Sequence, residues 1–161
     1  MRIGQICTTD VVCCRPDTTA LEAARLMRSR HVGEVVVASD VEQGPVPVGV
    51  VTDHDLAVEV LGNGREAAIM PLAALMRGPL VVAADYEDVH TALERMRVHG
   101  VRRMPVVDDG GTLVGIVTLD DLLGALLSDM HALLETTRGA QRREPTAQPR
   151  SATIRAPHAP R

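Results

Sequence analysis

The sequence predicts an α/β fold built from two copies of one β-α-β-β-α unit. A nine-residue run occurs twice, as V-G-V-V-T-D-H-D-L at residues 48–56 and V-G-I-V-T-L-D-D-L at residues 114–122. Each run follows a helix-period stretch and a Val-rich stretch in the same order, with Met27 and Met96 matching at an offset of 69 and Gly49 and Gly115 at 66. Apolar residues make up 45% of the chain, yet there is no Trp or Phe and only Tyr86 among the aromatics. Val, Leu, Ala and Met must therefore fill the core, a composition that suits buried strands covered by helices.

Taken in order, each copy opens on a short strand, residues 11–13 and 80–83. A helix follows over residues 20–30 and 89–99, with Leu21, Ala24 and Met27 on one face of the first and Val89, Leu93 and Met96 on one face of the second. Thr19 with Glu22 forms a capping-box signature, and Gly100 suits a left-handed helix stop. Two Val-rich strands then make a hairpin. Its turn is Asp109-Gly110 in the second copy; in the first, three extra residues make a longer loop over residues 38–47. A last helix starts after Thr52 or Thr118. Pro71 is placed to begin a short linking helix over residues 71–75, where its missing N–H costs nothing.

A unit of about sixty residues buries too little surface to be stable alone, so the two copies are expected to pack as one compact pair sharing a core. The boundaries read as 1–69 for the first repeat, 70–138 for the second and 139–161 for a disordered Arg/Pro-rich tail. The tail carries five Arg and one Glu, so it is net +4 and the remainder net −8. Such an acidic body argues against a nucleic-acid-binding domain. Cys7, Cys13 and Cys14 match no zinc or redox spacing and read as buried reduced thiols. The first twenty residues lack the apolar stretch of a signal peptide, and no run reaches the ~20 apolar residues of a membrane span. A cytoplasmic protein is expected.

The duplicated G-h-V-T-x-x-D-L run, the V-R-R-M-P-V-V-D segment at residues 101–108 and the β-α-β-β-α order resemble the CBS domain. Residues 3–127 resemble a CBS pair, or Bateman module, with I-G-Q-I-C and L-A-A-L-M similar to the short segments that lead into each repeat. The resemblance implies pseudo-symmetric packing with two clefts that hold AMP, ADP, ATP, NAD or S-adenosylmethionine. It implies that Asp55 and Asp121 take ribose hydroxyls, with Thr52 and Thr118 near the ribose or phosphate. Arg102 and Arg103 would reach phosphate, and Val12, Val81, Met104 and Pro105 would wall the base. A carboxylate can accept from both ribose hydroxyls, and a Thr at a strand-to-helix junction lies where helix N–H groups favour an anion. The same T-x-x-D spacing is also a capping box, so cap and ligand roles both stand. Gly33 and Glu34 occupy the first repeat's counterparts of Arg102 and Arg103; a Glu there would repel phosphate and make the clefts unequal. The Arg pair would serve the cleft of Asp121 or that of Asp55, with Asp121 the expected one.

No G-x-G-x-x-G, P-loop, H-E-x-x-H or nucleophile with an evident base is present, so the chain reads as a non-enzymatic regulatory module without a required cofactor. Asp53-His54-Asp55 cannot converge on a metal, since consecutive helical residues fan around the axis. Met130, Leu133 and Leu134 read as a packing or homodimer surface, and an effector protein would read the ligand state. A ligand-free structural or dimerisation module, and a nucleic-acid-associated protein acting through its tail, are the alternatives. Truncation after Arg138 is expected to leave the melting temperature nearly unchanged in a calorimetric scan, because the tail has no apolar face to bury; a drop of several degrees would show docking.

Overall fold

A computed structural model describes residues 1–41 and 44–143. The first repeat comprises β1 (Cys13–Cys14), α1 (Ala20–Arg30), β2 (Glu34–Val41), β3 (Gly44–Thr52) and α2 (Asp53–Asp55), which passes into a π-helical segment, Leu56–Leu61. The second comprises β4 (Ala83–Ala84), α3 (Val89–His99), β5 (Arg103–Val107), β6 (Leu113–Thr118) and α4 (Leu119–Arg143). Short 3-10 turns, Ile3–Gln5 and Leu72–Ala74, lead into the repeats. This is the predicted β-α-β-β-α order, twice. Each repeat forms a three-stranded sheet in which the first strand pairs parallel to the second and the second antiparallel to the third. Both repeats lie within one compact unit, Met1–Leu127.

From Ser128 the chain forms a separate unit. There α4 continues to Arg143, five residues into the expected tail, and Met130, Leu133 and Leu134 are exposed. The rest of the expected tail, 144–161, lies outside the described residues. Among the described residues no helix is long and apolar enough to cross a membrane.

Helix boundaries follow local chemistry. Thr19 Oγ1 accepts from Glu22 N–H, while the Glu22 carboxylate accepts from Thr19 N–H at 2.9 Å. The Thr19 N–H and the Thr19 hydroxyl, both donating to the Glu22 carboxylate, hold that carboxyl below its ordinary range. Both α1 and α3 end on a left-handed residue, His31 at φ 55° and Gly100 at φ 66°. Only glycine occupies that region without a Cβ penalty. The buried face of α1 is Ala20, Ala23 and Met27; Ala24, expected inside, is exposed. The same face is buried in α3, as Val89, Ala92 and Met96, and the linker covers the first turn of α1, where Ala20 N–H donates to Met70 O at 2.8 Å and Leu21 N–H to Ala67 O at 3.0 Å.

Four other expectations change. The short strands fall later, at Cys13–Cys14 and Ala83–Ala84. The extra residues of the first copy lengthen its hairpin, giving strands of eight and nine residues against five and six. Pro71 caps its 3-10 turn in an extended conformation (ψ 147°) and bridges Thr19 instead of entering a helix. Of the thiols, Cys14 is buried, Cys7 half-buried and Cys13 exposed; adjacent strand residues point to opposite faces.

One shared core was expected, but two form, and packing cuts across chain order. Ile3 is fully buried among Met104, Val117 and Leu122 of the second repeat. Leu72 is fully buried among Met27, Val35 and Val51 of the first. Backbone hydrogen bonds fix each lead-in: Ile3 N–H to Glu87 O at 2.8 Å, and Leu72 N–H to Thr18 O at 2.9 Å. Each such aliphatic side chain contributes roughly 1.5–3 kcal/mol on burial.

Near the first of these seams Glu87 is buried at 9% exposure. Its carboxylate accepts from Ala84 N–H at 3.1 Å and pairs with Arg95 at 2.8 Å, while Arg95 also donates to Val82 O at 2.6 Å. Removing the cation leaves a buried carboxylate short of a partner. Arg95→Met should lower stability in urea unfolding by about 1–3 kcal/mol, and adding Glu87→Gln should recover much of the loss. A change below the error of the measurement would show that solvent screens the pair.

Candidate functional site

Strand β3 ends at Thr52 and the helical segment begins at Asp53. Thr52 N–H and Oγ1–H donate to Asp55 Oδ2 at 2.8 and 2.7 Å, and Asp55 N–H donates back to Thr52 Oγ1 at 3.2 Å. The second repeat repeats this geometry, with Thr118 N–H and Oγ1–H both 2.8 Å from Asp121 Oδ2 and Asp121 N–H 3.3 Å from Thr118 Oγ1. Both motifs are thus capping boxes. Each uses Oδ2 alone; among the described residues Oδ1 accepts no hydrogen bond, so the cap does not consume the carboxylate. Both aspartates are half-buried.

Thr52 and Asp55 line a cavity of about 630 Å³. One wall is residues 48–50 of β3, a second is the linker at residues 76–81, and a third is residues 100–103 with Pro105. Six of the sequence-derived candidates therefore converge: Thr52, Asp55, Val81, Arg102, Arg103 and Pro105. Four do not. Met104 is fully buried in the core of the second repeat, because strand alternation turns it to the face opposite Arg103 and Pro105. Val12 packs against the core of the first repeat. Thr118 and Asp121 lie outside this cavity.

The expected grouping of the Arg pair with Asp121 is accordingly corrected. The start of β5 faces the end of β3, so Arg102 and Arg103 meet Asp55 across the boundary between the repeats. The structure also brings Arg103 and Glu34 together. These two, read as opposed counterparts, stand against one another and form an ion pair. Sequence reasoning also missed Arg77, which lines the cavity and is paired with Glu59. Its signal was the Gly78-Pro79 break, which turns the linker along the cavity wall.

The repeats differ in how the lead-in chain leaves its partner strand. After Cys7, Thr8 forms an antiparallel bridge with Ile116 of β6, with both hydrogen bonds at 2.9 Å. After Met76, the corresponding Arg77 makes no such bridge to β3 among the described residues, and the chain diverges to form the cavity wall. At both places the motif glycine allows close approach: a Cβ on Gly49 would overlap the Met76 thioether, and one on Gly115 would overlap Cys7 Sγ and crowd the backbone O of Thr8. Loss of hydration on burial pushes the Cys7 and Cys14 thiols above their usual range.

The CBS domain matches this chain twice, at residues 3–62 and 72–128. YhcV, a CBS domain-containing protein of Bacillus subtilis, is 39% identical over 125 residues, 78% of this chain and 85% of that protein. The Methanopyrus kandleri protein MK0525 is 33% identical over 121 residues, 75% of this chain; the match spans 60% of MK0525. The solved structure of the CBS domain protein PAE2072 of Pyrobaculum aerophilum, complexed with AMP, matches with a TM-score of 0.67. It is 25% identical and covers 75% of this chain and 89% of PAE2072. With both repeats matched in sequence and in fold, the chain belongs to the CBS-domain family.

Proposed function

We propose that the chain is a regulatory module that binds an adenine nucleotide in the cavity between Asp55 and the Arg102–Arg103 pair. The observation that carries this reading is the convergence of a ribose-type acceptor and phosphate-type donors on one cavity of about 630 Å³, well within the roughly 300–1,000 Å³ of small-molecule sites. Asp55 Oδ1 accepts from the ribose hydroxyls while Oδ2 stays with the cap. Arg102, exposed and without an ion pair among the described residues, meets the phosphate first. Val48, Val81 and Pro105 wall the base. The AMP complex of PAE2072 supports an adenine nucleotide as the ligand class; ADP, ATP, NAD and S-adenosylmethionine share the adenosine group that these contacts address.

Thr118 and Asp121 serve a second, separate site in the same reading. Since one wall of the first cavity belongs to each repeat, ligand favours one relative orientation of the repeats, and a partner protein or a second copy of the chain reads it. No catalytic role is assigned, and the module works in the cytoplasm.

Titration calorimetry with AMP, ATP, NAD and S-adenosylmethionine tests the site. At least one should bind below millimolar concentration. Asp55→Ala should weaken binding by about 1.5–3 kcal/mol, the scale of a charge-assisted hydrogen bond, whereas Asp121→Ala should leave this cavity nearly unaffected. Arg102→Ala should weaken AMP but spare adenosine. Binding of none of the four ligands at millimolar concentration overturns the reading.

A further inference from the structure

Glu34 and Arg103 are corresponding residues. Each opens the middle strand of its repeat, and each is in register with the motif threonine, Glu34 opposite Thr52 and Arg103 opposite Thr118. The fold brings these counterparts face to face, and they form an ion pair whose side chains are 17% and 34% exposed. Arg103 lines the cavity, whereas Glu34 is not among the lining residues and reaches it only through Arg103. Were both positions Arg, two like charges would meet at the boundary between the repeats; the departure of the first repeat replaces that repulsion with attraction. The same departure commits a cation of the cavity to a protein carboxylate before any ligand arrives.

Resting on the nucleotide reading above, we propose that Glu34 is the charge-specificity residue of the cavity, an internal anion that holds Arg103 until an anionic group of the ligand displaces it. An uncharged ligand leaves the pair intact. A phosphate carries more negative charge than the carboxylate and accepts a guanidinium bidentately, so it takes Arg103 from Glu34. Because the pair joins one repeat to the other, the exchange also opens an ionic bridge between them. Charged and uncharged ligands that fill the same cavity therefore leave the repeats differently connected. Affinity for phosphate is held down by the competition, which shifts the working range towards higher ligand concentration.

The test is titration calorimetry with AMP and with adenosine on wild type, Glu34→Gln, Arg103→Gln and the double variant. Glu34→Thr serves as a second neutral replacement suited to a strand, should the first fail to fold. Removing the carboxylate should tighten AMP by about tenfold, equivalent to 1.4 kcal/mol, and leave adenosine within about twofold of wild type, since an uncharged ligand does not compete for Arg103. In the Arg103→Gln background the Glu34 substitution should lose its effect on AMP. Equal tightening of both ligands, or no change in either, overturns the proposal. If wild type binds neither ligand, the nucleotide reading fails, and thermal shift with inorganic pyrophosphate then decides the specificity question: a larger shift for Glu34→Gln than for wild type upholds Glu34 as competitor, and equal shifts overturn it.

Discussion

Ile3 stands in the first half of the sequence but is buried in the core of the second, and Leu72 makes the reverse journey. Most of what the molecule can do is constrained by that exchange. A half of about sixty residues is marginal on its own, and here each half lacks one fully buried aliphatic residue until the other supplies it. The exchange also sets the position of the linker. Having seated Leu72 and Met76 against the first repeat, the chain must cross to reach β4, and residues 76–81 become a wall of the cavity on the way. The cavity is in this sense a by-product of completing the cores.

The T-x-x-D motif shows how much of a side chain a structural cap can leave unused. Its threonine ends a strand, and its aspartate satisfies the backbone N–H that the strand-to-helix change leaves unpaired. A carboxylate has a second oxygen, so the cap is made without spending the group. In the first repeat the same boundary has the π-helical segment Leu56–Leu61 directly behind Asp55, whereas in the second a regular helix continues. Duplicated sequence thus yields two equal caps in unequal surroundings.

Elements governed by local chemistry were legible in the sequence. Helices α1 and α3 have the boundaries read from Thr19, Glu22 and Gly100, because caps and left-handed stops act over four residues. The repeat order was legible for the same reason that duplication is visible at all. What could not be read was which surfaces meet. Two cores in place of one depend on the exchanged lead-ins. The charges of Glu34 and Arg103 were plain, but their facing one another follows only from the packing of the two repeats. The same packing moves the Arg pair from Asp121 to Asp55. Six of ten candidate side chains lay in the cavity because the motif and strand positions were sound; those left out belong to the opposite strand face or to the counterpart repeat.

The exchanged lead-ins have a further consequence for how the covalent chain can be cut. Gly62-Asn63-Gly64 lies on the surface between the repeats, ahead of the segment that carries Leu72. A chain severed there gives one fragment that holds Ile3 without the pocket that receives it, and another that holds Leu72 in the same predicament. Each fragment is the other's missing part, so recombination in trans restores two cores at once. The junction joins pieces that already have a thermodynamic reason to find each other, which makes this architecture a natural substrate for split-protein complementation at that loop.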